Sequence, residues 1–130
     1  MNKIFLLTLP IFALAGVLFF LSSTDNNRDK VLSEKSEVVQ NGDTQEIEIL
    51  AKGGYSPREI NAKSGIKTLL KIKTQNTYDC SAALSIPKLG IREILDSNNI
   101  RTFEIDPQEK GSEIQGTCQM GMYGFKINFQ

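Results

Sequence analysis

Hydrophobic and polar residues alternate along most of the chain after residue 44, as they do in strands with one buried face. In residues 45–52, Ile47 and Ile49 alternate with glutamates, and residues 123–129 carry phenylalanine or isoleucine at every second position from 125. Shorter stretches with strand-like character lie at 60–62, 70–72, 83–86, 92–95 and 101–105. The pattern therefore predicts a succession of short strands and no long helix.

Turn-forming residues separate the predicted strands at intervals of roughly ten residues. They include Pro87, Gly90 and the run Asp-Ser-Asn-Asn at 96–99. Residues 44–130 make a unit of 87 residues (130 minus 43), which suits one small domain with a two-layer core. We therefore predict an all-β fold over residues 44–130, an antiparallel Greek-key β-sandwich.

Before this domain, residues 4–21 contain no charged residue and follow Lys3. As a helix the stretch would span about 27 Å, close to the roughly 30 Å hydrocarbon core of a bilayer. It ends in Phe-Phe-Leu-Ser-Ser, which matches a signal-peptide cleavage site poorly. We expect residues 1–22 to be a single-pass anchor in the cytoplasmic membrane, with the domain on the extracytoplasmic face. If the segment is instead cleaved as a signal, the domain is secreted.

Residues 23–43 are rich in serine, asparagine and charged residues and contain no aromatic residue. Their four aliphatic residues cannot bury enough surface to offset the entropy of ordering the segment. We therefore predict a flexible linker that lets the domain meet partners near the membrane.

Composition excludes several classes of function. The chain contains no histidine, which removes the Ser-His-Asp triad, the Cys-His dyad and histidine-ligated zinc sites. Its 15 basic and 15 acidic residues leave no net charge, so the electrostatic footprint of nucleic-acid binding is missing. We expect a binding protein that is not an enzyme and has no nucleic-acid partner.

The sulfur-containing residues of the predicted domain fall in two predicted loops. Cys80 and Cys118 are 38 positions apart (118 minus 80), and Met120 and Met122 follow the second cysteine closely. Gly121 lets the backbone turn sharply between the methionines, so that Met122 can face back toward Cys118. Thiolate and thioether are soft donors, and a site without imidazole favours a soft metal ion, first of all Cu(I).

The residues alone leave other interpretations open. A single cysteine pair in an exported domain is often a structural disulfide, and closing a 38-residue loop would stabilise the fold by about 4 kcal/mol. Methionines most often pack in a core, and Asp79, beside the first cysteine, is expected to be a solvated loop charge. Metal ligation and a disulfide therefore remain two interpretations of Cys80 and Cys118.

Several pieces of the chain, taken together in their order and spacing, resemble the cupredoxin-like proteins of the plastocyanin and azurin superfamily. The pieces are GYSPREI at 54–60 leading to Gly65, NTYDC at 76–80, IPKLGI at 86–91, FEIDP at 103–107 before Gly111, and CQMGMYG at 118–124. They cover essentially all of residues 44–130. The chain is most similar to a membrane-anchored subgroup in which cysteine replaces the usual first histidine ligand.

By this resemblance, Cys80 stands where a histidine ligand is usual, Cys118 is the loop cysteine and Met122 is the methionine ligand. Met120 would be a supplementary donor. Residues 115–117, Gln-Gly-Thr, depart from the family pattern, in which an aromatic residue normally precedes the cysteine. The resemblance implies an extracytoplasmic copper-binding protein that holds Cu(I) for sequestration or for transfer to a copper-transport or redox partner protein.

Two alternatives to this hypothesis come from different classes of protein. The first is an electron-transfer cupredoxin, in which copper cycles between Cu(I) and Cu(II) in a nearly fixed geometry. The second is a non-metal β-sandwich interaction module that is held by a disulfide between Cys80 and Cys118. An intense thiolate-to-Cu(II) absorption band would distinguish the first alternative, and a count of free thiols would distinguish the second.

Overall fold

The structure is a computed structural model, and it describes residues 38–130 of the chain. The predicted anchor at 1–22 and most of the predicted linker at 23–43 lie outside the described residues. Within residues 38–130, no helix has both the length and the apolar character needed to span a membrane.

Short strands account for most of the regular structure between residues 38 and 130. Two single turns of 3-10 helix, Cys80–Ala82 and Pro87–Leu89, lie on either side of one of these strands. The strands are β1 (Val38–Asn41), β2 (Thr44–Ala51), β3 (Tyr55–Ser56), β4 (Glu59–Ala62), β5 (Lys67–Thr74), β6 (Ala83–Ile86), β7 (Ile91–Ile94), β8 (Ile100–Ile105), β9 (Glu113–Cys118) and β10 (Gly124–Phe129).

These strands form two sheets that enclose a common hydrophobic core. The first sheet has the order β1-β2-β5-β8, with β3 also paired to β2. The second sheet has the order β4-β10-β9-β6-β7. The predicted all-β sandwich is therefore confirmed for the described part of the chain.

The prediction of a purely antiparallel sandwich is wrong for two strand pairs. β2 and β5 run parallel along their whole length, and β4 and β10 are also parallel. The other strand pairs are antiparallel. Between β2 and β5 the chain crosses to the second sheet as β4, and a crossover of this kind brings it back to β2 in the same direction. Both sheets are therefore mixed.

The apolar residues of the alternating stretches are buried between the sheets. In β5, for example, buried and half-buried positions alternate along all eight residues. Burying each large apolar side chain contributes roughly 1.5–3 kcal/mol. Among the buried residues are Ile47, Ile49, Leu70, Ile72, Phe103, Ile105, Phe125, Ile127 and Phe129.

β9 is a strand that the hydrophobic pattern does not reveal. Its buried face carries Ile114, Gly116 and Cys118, so a glycine interrupts the apolar alternation. Gly116 lies directly opposite Phe125 of β10, and a Cβ atom at this glycine would lie 2.2 Å from Phe125 Cζ. The phenylalanine ring therefore occupies the space that a side chain on β9 would need.

β1 lies within the segment that composition assigns to the linker. It pairs with β2, with Val38 opposite Ile47, so the sheet extends to residues before the predicted boundary at 44. Only Val38 of this strand packs against the core, and the other three residues are exposed. A strand with so little buried surface has a composition much like that of a linker.

Candidate metal centre

Three loops meet at one end of the sandwich, which we call the sulfur end. Gly53 N donates a hydrogen bond to Asp79 Oδ2 (2.9 Å), and the ring of Tyr123 lies beside Gly54. The cysteines and methionines of residues 38–130 all lie at this end. The loops are residues 52–54 after β2, 75–79 after β5, and 119–123 between β9 and β10.

Cys80 and Cys118 are joined in a disulfide. Cys80 is the first residue of the 3-10 turn after β5, and Cys118 is the last residue of β9. Their Cα atoms are 5.7 Å apart. Two sulfur atoms that are distant in the sequence are therefore in direct contact. This pairing agrees with the disulfide interpretation. The two cysteines can act as thiolate ligands of a metal only after the disulfide is reduced.

The backbone around Cys118 is held by hydrogen bonds on several sides. The Cys118 N–H donates to Tyr123 O (2.9 Å), and Cys118 O accepts from Gly121 N (2.8 Å). The next residue, Gln119, donates its N–H to Ala83 O on β6 (2.7 Å). The Cys118 residue is only 1% exposed, so neighbouring strands and burial together fix the position of its sulfur.

The backbone around Cys80 is held by the carboxylate of Asp79. Asp79 Oδ1 accepts hydrogen bonds from the Ser81 N–H (2.9 Å) and from the Ser81 hydroxyl (2.5 Å), while its Oδ2 binds the Gly53 N–H. The Ser81 hydroxyl, followed by the backbone N–H groups of Ser81 and Gly53, lowers the pKa of Asp79. Asp79 is exposed, as expected for a loop charge, but its carboxylate also caps the turn that carries Cys80.

Tyr55 supports the same turn from inside the core. Its hydroxyl donates to Ser81 O (3.0 Å), and its ring packs edge-to-face against Phe125 with ring centroids 5.2 Å apart. Burial, with a smaller contribution from the negative charge of Asp79, raises the pKa of Tyr55 to about 12. The hydroxyl therefore remains protonated as a donor throughout the neutral range.

Met120 and Met122 lie on the loop that directly follows Cys118. Their residues are 75% and 61% exposed, so neither methionine packs in the core, where most methionines are found. Gly121, between them, has a φ of +72°, a backbone conformation that glycine adopts without steric cost. Tyr78, two residues before Cys80, is also strongly exposed. The sulfur end therefore presents two thioethers and a tyrosine ring to solvent.

The donor atoms of this end fit a soft metal ion better than a hard one. Residues 38–130 contain no cluster of three or more His, Cys, Asp or Glu residues that could hold a metal. The nearby Asp79 carboxylate is occupied by hydrogen bonds. Two cysteine sulfurs and exposed thioethers remain, and in the reduced state this set suits Cu(I).

Hydrophobic patterns do not identify Asp79, Ser81 and Tyr55 as parts of this centre. One local signal is present, because aspartate is favoured at the position just before a helical turn, where its side chain accepts a backbone N–H of the first turn. The contacts of Tyr55 with Ser81 and of Asp79 with Gly53 join residues 26 positions apart. Only the folded chain reveals such contacts.

The two-sheet sandwich, with a cysteine at the end of its penultimate strand and methionines in the loop that follows, has the architecture of a cupredoxin-like domain. Residues 11–127 match the family model of the cupredoxin-like domain. Because this match spans most of the chain, the chain belongs to the cupredoxin-like domain family, and the resemblance inferred from the sequence is confirmed. No curated protein matches the chain.

Solved structures with the same fold include the metal-binding domain of the Cu(I)-exporting P-type ATPase CopA of Streptococcus pneumoniae, determined with Cu(I). The two share 22% sequence identity with a TM-score of 0.64, and the match covers 72% of this chain and 92% of that domain. A second structure is a copper-binding protein solved by NMR in its apo form. It is 24% identical with a TM-score of 0.64, and the match covers 72% of this chain and 94% of that protein.

Proposed function

We propose that the domain binds copper as Cu(I) for sequestration or for transfer to a copper-transport or redox partner protein. The thiolates of Cys80 and Cys118 are the principal ligands, Met122 is the third ligand and Met120 is a supplementary donor. The observation that carries the proposal is the contact between the two cysteines beside a loop with two exposed thioethers. Further support comes from the copper-binding proteins that share the fold.

Copper binding on this proposal requires the reduced cysteines. An external thiol reductant converts the disulfide to two thiols by thiol–disulfide exchange and is itself oxidised to a disulfide. Each cysteine thiol must then lose its proton to bind the metal. Binding therefore releases protons and weakens as the pH falls. Because Cys118 is buried and held by backbone hydrogen bonds, at least one of the two sulfur atoms is positioned before copper arrives.

The proposal describes a binding protein and assigns it no catalytic activity. It includes a membrane anchor at residues 4–21 and a domain on the extracytoplasmic face, for which the sequence is the support. A membrane-impermeant thiol reagent, applied to intact cells under reducing conditions, tests this location. Labelling of the cysteines only after the cells are lysed would place the domain on the cytoplasmic side.

A non-metal interaction module is the second candidate, because a structural disulfide would account for the Cys80–Cys118 bond by itself. The deciding experiment compares Cu(I) binding by the reduced full-length protein and by the double variant Cys80→Ser, Cys118→Ser, using competition with a coloured Cu(I) chelator. The proposal requires much tighter binding by the wild type. Equal binding by the two proteins would favour the interaction module. An intense absorption band after mild oxidation of the copper-loaded protein would favour electron transfer.

A further inference from the structure

The carboxylate of Asp79 binds both the residue that follows Cys80 and a residue of a separate loop. Toward the chain that follows, it accepts hydrogen bonds from the N–H and the hydroxyl of Ser81. Toward a different loop, it accepts the N–H of Gly53. Ser81 is fully buried, and its carbonyl oxygen is already held by the Tyr55 hydroxyl. Cys80 therefore lies between Asp79, which joins two loops, and Ser81, which is fully buried.

We propose that Asp79 is the positioning residue of the metal centre, holding the Cys80 sulfur toward Cys118 through its hydrogen bonds to Ser81 and Gly53. The inference depends on the proposed function for its copper readout. It goes beyond that function because it identifies the group that makes Cys80 a competent partner for Cys118. Asp79 does not itself touch the metal.

The two cysteines differ in the support that they receive. Cys118 is part of a strand and is bonded through its own backbone to the following loop and, through Gln119, to β6. Cys80 begins a turn of only three residues, in which Ala83 N donates to Cys80 O and Ala82 N donates to Asp79 O. These backbone bonds stay within the turn, and the Asp79 carboxylate adds three donors, one of them from the separate loop that contains Gly53. Hydrogen-bond partners that orient a ligand typically change metal affinity by about 10- to 100-fold when they are removed.

The charge of Asp79 acts in the opposite direction from its positioning effect. A carboxylate beside two thiolates repels them and disfavours their ionised form. If charge alone mattered, removing the carboxylate would therefore strengthen Cu(I) binding. If position matters most, removing it weakens Cu(I) binding. The sign of the effect distinguishes the two accounts.

The test compares Asp79→Ala, Asp79→Asn and wild type as full-length reduced proteins in detergent. Asp106→Ala serves as the matched control, because Asp106 is an exposed aspartate at the opposite end of the sandwich. Cu(I) affinity is measured by chelator competition. We expect Asp79→Ala to lose about 10- to 100-fold in affinity and Asp106→Ala to match wild type. Asp79→Asn keeps an acceptor oxygen for Ser81 but loses the charge, so its loss should be smaller.

A copper-free measurement separates this inference from the proposed function. In glutathione redox buffers, the equilibrium between the dithiol and the Cys80–Cys118 disulfide reports how well the two sulfurs are positioned for each other. Asp79→Ala should shift this equilibrium toward the dithiol more than Asp79→Asn does, although both variants lose the same charge. If wild type binds no copper but this difference appears, the proposed function fails and the positioning role stands.

Unchanged or tighter Cu(I) binding by Asp79→Ala, together with identical redox equilibria for the alanine and asparagine variants, would overturn the inference. If Asp79→Ala does not fold, the affinity of Asp79→Asn is compared with that of the control. The asparagine oxygen cannot accept both from Ser81 and from Gly53 in the present geometry, so the proposal then requires a measurable loss of affinity relative to Asp106→Ala. Equal Cu(I) affinities of Asp79→Asn and Asp106→Ala would also overturn the inference.

Discussion

The two ends of the sandwich differ in the contacts that hold them together. At the far end, formed by residues 63–66, 106–112 and Gln130, backbone groups of separate segments bind each other directly. Gly65 N donates to Gln108 O (2.9 Å), and Gly111 N donates to Phe129 O (2.7 Å). At the sulfur end, backbone bonds also join separate segments, for example Gln119 N to Ala83 O (2.7 Å) and Thr77 N to Ser97 O (3.0 Å). A disulfide and the Asp79 carboxylate add further links there. The sulfur end therefore has a covalent link and a charged side-chain link in addition to the backbone contacts that both ends share.

One buried side chain reinforces the far end. Gln45 is 1% exposed, and its Nε2 donates to Lys63 O (2.7 Å) and Thr68 Oγ1 (2.9 Å). Lys63 N in turn donates to Gln45 Oε1 (2.9 Å). Every contact of this amide is internal, whereas Met120 and Met122 at the other end face solvent. The Gln45 amide therefore contributes only to the packing of the far end, whereas the sulfur end combines a stabilising cross-link with two thioethers that are accessible from solvent.

The largest expected effect is the loss of either cysteine. Cys118→Ser should abolish tight Cu(I) binding and Cys80→Ser should weaken it severely, because a single thiolate remains in each variant. In the oxidised protein, each change also removes a cross-link worth about 4 kcal/mol for a loop of this length. Chelator competition and denaturant unfolding measure the two effects. Unchanged copper affinity in either variant would rule out the proposed site, and Ser64→Ala at the far end provides the control.

A change at the far end should reduce stability without affecting copper. Gln45→Ala leaves the N–H of Lys63 and the hydroxyl of Thr68 without their partner, which costs about 1–3 kcal/mol for buried groups. We expect a lower denaturant midpoint together with a Cu(I) affinity equal to that of wild type. An altered affinity in this variant would mean that a change at the far end reaches the copper site at the sulfur end.

The two methionines should differ in their effects on copper. Met122→Ala is expected to reduce Cu(I) affinity more than Met120→Ala, because Gly121 allows the chain to fold back and bring Met122 to the metal. Both losses should be smaller than the loss from either cysteine, since a thioether is an uncharged donor. Each variant is the matched control for the other, because both residues are exposed on one loop. The opposite ranking would give Met120 the role of third ligand.

The smallest expected effect concerns Tyr55. Tyr55→Phe keeps the ring but removes the hydrogen bond to Ser81 O, at a cost of about 0.5–1.5 kcal/mol. Burial raises the pKa of Tyr55 from 10.0 to about 12 in the folded protein, so the stability that this residue contributes is present below pH 10 and is lost as the pH rises toward 12. Unfolding of the oxidised protein should show a steeper loss of stability over this range in wild type than in Tyr55→Phe. Parallel pH profiles would contradict the prediction.

Hydrophobic alternation predicts those strands whose buried positions carry large side chains. It finds β2, β5 and β10 with small errors in their bounds. It misses β9 because one buried position of that strand is Gly116, which has no side chain. The ring of Phe125 from the neighbouring strand fills the space there. It also misses the parallel pairing of β2 with β5, because strand direction depends on where the intervening chain passes and alternation carries no information about that path.

The candidate site is predictable in its donor atoms but not in its supports. The chemistry of cysteine and methionine, together with their clustering along the chain, is enough to name the four sulfur residues as candidates, and their role as copper ligands stays a prediction. The state of the cysteine pair is not predictable from residue types, because the same two sulfurs suit a disulfide and a metal equally well. The role of Asp79 depends on the approach of Gly53 from another loop, which is a long-range contact that no local pattern encodes.

The edge position of β1 has a mechanical consequence. β1 is the first described strand, so a pull transmitted through the preceding residues reaches the domain at Val38. Among the described strands, β1 pairs only with β2, and the two form a hairpin through Gly42 and Asp43. Force applied there would break the β1–β2 hydrogen bonds one after another, beginning at Val38. The remaining sandwich, including the Cys80–Cys118 bond, follows that hairpin in the chain. We therefore expect β1 to detach from β2 before force on the preceding chain reaches the sulfur end.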